Sequence, residues 1–219
     1  MAETITTYKK DNMEVAIPMD RVEFYAQQVQ NFESAKNPEF AVGIINIFMF
    51  DSGGEIYIQK RSDNKAHNPG MFDKTIGGHI RFGDSNDYTV MVETVQELQV
   101  PSITLRTEED FIKTYNLLRD YLATVAIVKH IDTQTLELKK NIKGKNIPIL
   151  NKVHLYFGIY NGAVKTVDRE AKGVLLYSLE DLEKDMEASP NLFTDDLRVL
   201  ITKYRPRIVD FIEFVKNPS

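Results

Sequence analysis

The apolar positions of this chain change period several times, and each change predicts an element. From residue 40, FAVGIINIFMF is rich in β-branched and aromatic residues. It is too short to span a bilayer and it holds Asn46, so a buried strand is predicted. The turn signal Asp51-Ser52-Gly53-Gly54 follows. In the next run Ile56 and Ile58 alternate with Tyr57 and Gln59, which completes a predicted β-hairpin. Upstream, residues 18–36 read as a short helix entered through Pro18 and Asp20 and closed by Asn37-Pro38. Residues 62–75 are polar and broken by Asn68-Pro69-Gly70, a loop signal.

Residues 84–100 predict a helix with Asp84 as its N-cap. Tyr88, Met91, Val92, Val95 and Leu98 recur at three- and four-residue spacing, and that side is expected to be buried. Residues 104–122 predict a further helix, capped by Thr107, with Phe111, Tyr115, Leu118 and Leu122 as its stripe. TVAIVKHI (124–131) and KVHLYFGIY (152–160) are predicted strands, joined by a basic connection over 138–151. GVLLYS is a short strand, residues 178–187 a helix opened by Ser178, and the rest one or two closing helices. Strands alternating with helices give a mixed α/β fold.

Composition narrows the class. The chain has 219 residues, 42% hydrophobic and 27% charged, which suits one soluble globular core. A formal net charge of −5 argues against a general nucleic-acid binder. The chain has no cysteine, so disulfides, thiolate nucleophiles and Cys-containing zinc sites are excluded. No basic segment followed by an apolar one opens the chain, and the expectation is a soluble, cytoplasmic protein without a signal peptide.

The candidate chemistry lies on the 84–100 helix. Glu93 and Glu97 stack one turn apart on the side opposite the predicted apolar face, with Gln96 beside them. Two carboxylates at this spacing repel one another. A divalent cation between them would relieve that repulsion, and oxygen donors suit Mg²⁺ or Mn²⁺, which also bind phosphate oxygens. The plainer alternative is a solvated acidic face.

The text around that helix, QKRSDNKAHNPGMFDKTIGGH followed by residues 84–100, resembles the Nudix family. Its box runs Gly, five residues, Glu, seven residues, then Arg-Glu-aliphatic-any-Glu-Glu-any-Gly-aliphatic. Here the first glycine falls on Gly78, the spaced acid on Asp84, and the terminal block on residues 92–100. Both spacings hold. The family arginine is Val92, the first Glu of its pair is Gln96, and its last glycine is Gln99, so the box is degenerate. The Pro69-Gly70, Phe72-Asp73 and Gly77-Gly78-His79 positions, with residues 167–197, resemble the branch that includes isopentenyl-diphosphate isomerases and their hydrolase-like relatives. The likeness spans residues 40–204.

What the resemblance implies is a Nudix α/β/α sandwich with a mixed sheet. Residues 1–37 would be an N-terminal extension with a short helix, and 38–219 the Nudix domain, carrying an inserted helix at about 104–122. The implied activity is metal-dependent hydrolysis of a diphosphate linkage in a small molecule, of the nucleoside-diphosphate-linked type. Mg²⁺ or Mn²⁺ would be held by Glu93, Glu97, Gln96 and the Gly78 carbonyl. Glu93 or Glu170 would accept the proton. Lys60, Arg61 and Arg81 would bind substrate, the alternative for each being a solvated cation. A catalytically weakened Nudix-fold module that binds a nucleotide or a partner is the second reading. Isomerase activity is a third and weaker one, since that chemistry is associated with a cysteine. No membrane or nucleic-acid partner is expected, and a homodimer stays open.

Overall fold

The structure is a computed structural model and describes residues 3–164 and 171–218. Strands β1 (Thr4–Lys9) and β2 (Asn12–Asp20) form an antiparallel pair that precedes the expected helix. Helix α1 (Arg21–Glu33) is shorter than the expected 18–36, since Pro18 lies in β2, and Asp20 caps it by accepting the N–H groups of Val22 and Glu23. This N-terminal part is woven into the rest: β1 also pairs with β3 (Phe40–Phe50), and Ile5, Phe24 and Tyr25 sit in the main core.

The central sheet runs β10 (Ala171–Tyr177), β4 (Ile56–Arg61), β3, β9 (Lys145–Ile159), β8 (Ala126–Ile142), β7 (Ser102–Leu105). The β3–β9 and β7–β8 pairs are parallel and the others antiparallel, so the sheet is mixed. Two short strands, β5 (Phe72–Asp73) and β6 (Ile76–His79), pair with β4 and β3. The sheet is covered on both faces, which explains why β3 is apolar on both, apart from Asn46. Val42, Ile44, Phe48 and Phe50 enter the larger apolar cluster, and Ile45, Ile47 and Met49 enter the smaller one.

The larger cluster lies beneath α3 (Glu108–Leu118), α4 (Leu179–Ala188) and α5 (Asp195–Lys216), where Phe111, Phe157 and Phe211 meet edge to face or tilted. The smaller one lies beneath α2 (Asn86–Leu98), through Val90 and Leu98. The layers are those of an α/β/α sandwich. The caps at Thr107 and Ser178 are as predicted, and the 104–122 stretch divides into β7, α3 and a 3₁₀ turn at Arg119–Tyr121. Among the described residues, no helix is long and apolar enough to cross a membrane.

Three expectations need correction. Residues 138–151 are not a connection: β8 and β9 continue through them as a long hairpin that turns at Lys143 and Gly144, both at positive φ. Lysines hid the alternation there, although Leu138, Ile142, Ile147 and Ile149 are buried. On α2 the cap is Ser85, whose hydroxyl accepts the Tyr88 N–H, not Asp84. The buried face also differs. Tyr88, Met91 and Val95 are exposed, while Thr89, Val90, Thr94, Glu97 and Leu98 point inward. The helix turns its acids toward the sheet, and of the predicted stripe Leu98 is buried as expected while Tyr88, Met91 and Val95 face solvent.

Candidate active site

The inward turn of α2 opens one wall of a cleft of about 230 Å³, lined also by β4, β6, α1, β8 and the loop between β4 and β5. Three features fix the acids. Gln59 of β4, itself buried, donates to Glu97 Oε2 at 3.0 Å, and Glu97 is 5% exposed. Glu93 lies directly over Gly78: a Cβ added there would sit 2.3 Å from Glu93 Oε1. Gly78 therefore provides a cradle that any other side chain would fill. The left-handed conformation of Gln99 (φ 57°, ψ 33°) stops α2 one residue past Leu98.

Beneath the cleft lies a buried ion network. Asp73 receives Arg61 Nη1 at 2.9 Å, Lys74 Nζ at 3.1 Å and Thr194 Oγ1 at 2.8 Å. Burial alone would raise the Asp73 pKa, but Lys74 and Arg61 more than reverse this and bring it down to about 2. Lys74 also reaches Asp196 at 3.3 Å, and the two carboxylates hold its pKa up although desolvation opposes them. Such a network gives geometry more than net stability.

The other end of the cleft is basic and aromatic. Lys140 Nζ donates to Tyr25 Oη at 3.0 Å, and Tyr25 Oη lies 2.8 Å from His79 Nε2. The Tyr25 and His67 rings are 4.3 Å apart. Desolvation, then the charges of Lys140, Arg21, Arg61 and Lys65, push the His67 pKa down to about 3. Asn46 also lines the cleft, 1% exposed, and neither polar atom of its amide has a hydrogen-bond partner among the described residues. A buried orphan of this kind at a cleft wall marks a place where water or ligand completes the bonding.

The structure brings together most of the expected site residues. Glu93, Gln96, Glu97, Gly78, Arg61 and Arg81 all line the cleft. Arg81 and Gln96 are exposed at its rim. Arg61 has a larger structural share than expected, because it also donates to the carbonyls of His67 and Asn68 and pins the loop. Lys60 is not brought in. It follows Gln59 on β4, so it faces the opposite side of the sheet, where its Nζ stands 3.9 Å over the Phe72 ring. Glu170 lies outside the described residues. Gln59, Asn46, Tyr25 and Lys140 were missed. The alternation of β4 was a signal for Gln59, since it shares a face with Arg61, whereas nothing local marked the other three.

Among the described residues, no group of three or more His, Cys, Asp or Glu side chains converges as a self-sufficient metal site. Two carboxylates, one amide oxygen and one backbone carbonyl remain. That donor set fits Mg²⁺ or Mn²⁺, which retain waters and take further oxygens from substrate phosphates.

Comparison with known proteins agrees with this geometry. No protein-family model matches the chain. An uncharacterized Nudix hydrolase of Nostoc sp. is 26% identical over 113 residues, 46% of this chain and 61% of the relative. The matched region therefore covers about three fifths of that curated relative. Among solved structures, DR0079 of Deinococcus radiodurans superposes with a TM-score of 0.62 at 15% identity, covering 92% of this chain and 98% of that one. A MutT protein of Methanosarcina mazei Go1 gives 0.50 at 15% identity, covering 76% and 94%. The fold is the Nudix sandwich. In sequence, the chain is similar over part of its length to a Nudix hydrolase.

Proposed function

We propose that this protein hydrolyses a diphosphate linkage in a small molecule, of the nucleoside-diphosphate-linked type, with Mg²⁺ or Mn²⁺. The observation that carries the proposal is Glu93 cradled on Gly78 beside a Glu97 oriented by Gln59. Glu93, Glu97, the Gln96 amide oxygen and the Gly78 carbonyl would hold the cation. When bound, the cation would supply Lewis-acid stabilisation of phosphate charge and activation of water.

The chain's own groups supply the rest. Gln59 keeps one oxygen of Glu97 fixed. Arg81 at the rim offsets charge on the leaving group. Arg61, tied to Asp73 and to two loop carbonyls, contributes a fixed positive field rather than a mobile clamp. Glu93 or Glu170 accepts the proton from water. The neutral Gln96, in place of the acid that the box carries, lowers the charge facing the cation, so weaker metal affinity is expected than for a complete box.

That same neutral position favours a second reading, a module that binds a nucleotide or a partner without turnover. Incubation with Mg²⁺ or Mn²⁺ and a panel of diphosphate compounds separates the two, with released phosphate or mononucleotide as the readout. We expect turnover by the wild-type protein, and a fall of about 100-fold or more in Glu97→Gln. Turnover of no compound selects the binding module. Turnover indifferent to the substitution rejects the metal assignment. An isomerised product without phosphate release would assign the isomerase reading instead.

A further inference from the structure

Of the two buried lysines in the cleft, Lys74 and Lys140, charge accounting singles out one. Arg61 is paired with Asp73, Lys74 with Asp73 and Asp196, and Arg21 with Glu3 at 2.6 Å. Lys140 is 9% exposed and has no carboxylate partner among the described residues. A buried ammonium left without a counter-charge is expensive, and proteins that keep one generally use it. Lys140 has three N–H donors, and Tyr25 Oη takes one of them. The remaining donors belong to a side chain that lines the same cleft as Glu93 and Glu97.

The surroundings of Lys140 are built rather than incidental. The loop between β4 and β5 is tied to the hairpin extension by Asn68 N–H to the Asn141 carbonyl (3.2 Å) and Asn141 N–H to Asn68 Oδ1 (2.7 Å). A bridge between His67 and Ile142 adds to this tie. These bonds hold His67 beside Lys140 and against Tyr25. Arg21 and Lys65 line the same cleft, so the local field there is strongly positive. The low His67 pKa has the same origin after desolvation. A doubly charged phosphate satisfies such a field better than a single carboxylate.

We propose that Lys140, with Tyr25, His67 and Arg21 around it, forms a second anion subsite at the basic end of the cleft, one that receives a phosphomonoester carried by the substrate in addition to the scissile diphosphate. The inference deepens the hydrolase reading and rests on it for the identity of the scissile group. It narrows the substrate to a diphosphate compound that carries a further terminal phosphate.

The test is equilibrium binding of inorganic phosphate, measured calorimetrically on the full chain without metal and therefore without turnover. Lys140→Met should weaken phosphate binding by about tenfold or more, whereas Lys140→Arg should stay within about threefold of wild type. Acetate should bind at least about tenfold more weakly than phosphate. A structure of the wild-type protein soaked in phosphate should place a phosphate oxygen within hydrogen-bond distance of Lys140 Nζ, a readout that does not depend on any variant folding. Equal phosphate affinity in wild type and Lys140→Met, acetate binding as tight as phosphate, or phosphate found only elsewhere in the cleft each overturns the subsite. A protein that turns over no diphosphate compound yet loses phosphate with Lys140→Met keeps the anion subsite and loses only the hydrolase reading. An active enzyme whose phosphate affinity ignores Lys140 loses the subsite alone.

Discussion

At the acidic end of the cleft both carboxylates ride on one helix, one turn apart. At the basic end, Arg21 and Tyr25 come from α1, His67 from a loop and Lys140 from an extended hairpin. The acidic end needs only a correctly rotated helix and a strand residue to steady it. The basic end exists only once three distant segments have docked, and it depends on hydrogen bonds such as those between Asn68 and Asn141. The first should therefore fail through chemistry when perturbed, and the second through folding.

The sharpest way to break this contrast is Gly78→Ala. The new methyl group would meet the Glu93 carboxylate, the far end of a flexible side chain, so the carboxylate moves and the backbone does not. Turnover should fall by about 100-fold, as for a misplacement of about 1 Å, while the melting temperature stays within about 2 °C of wild type. A large loss of stability with the activity of the remaining folded protein intact would refute the cradle. Gln59→Leu comes next. It removes the donor to Glu97 Oε2 and should lower metal affinity or kcat by about tenfold, read from Mn²⁺ titrations of the initial rate.

Acidification probes the basic end. His67, pushed to about 3 by burial and the neighbouring cations, and His154, pushed to about 4 by burial and then Lys152, are neutral in the folded chain. In the unfolded chain they titrate near 6.5. The unfolded state thus binds more protons as pH falls below about 6.5, so stability is greatest above that value and declines toward pH 4. Thermal melts at pH 7, 6, 5 and 4 should show a progressive fall, and a flat series would count against buried neutral histidines. The smallest effect is expected for Lys60→Met, which alters a side chain over Phe72 on the opposite face of β4. Its kcat/KM should stay within about twofold of wild type.

The same contrast explains what the sequence disclosed. Spacing within one element is written in consecutive letters, and so the acids at 93 and 97, the glycine cradle and the caps at Asp20, Thr107 and Ser178 were legible. The orientation of α2 was not. Its wheel offers Tyr88, Met91 and Val95 as a convincing core face, and only the packed sheet decides that Thr89, Thr94 and Glu97 go inward instead. The β1–β2 pair and the far half of the β8–β9 hairpin were hidden because polar and basic residues occupy their outward positions. Lys140 looked like one lysine among several in a loop. Its burial is a property of the docked segments and of no local pattern.

Gln99 shows what a degenerate motif can keep. Where the box has glycine, this chain holds a glutamine in the left-handed region, and its N–H still closes onto the Thr94 and Val95 carbonyls. An L-residue there is strained by about 1 kcal/mol. The letters here depart from the box while the backbone still makes a left-handed turn that a glycine would adopt easily, and a search that scores letters alone will undervalue such chains. Scoring the turn that a position makes, rather than the residue that makes it, would recover them.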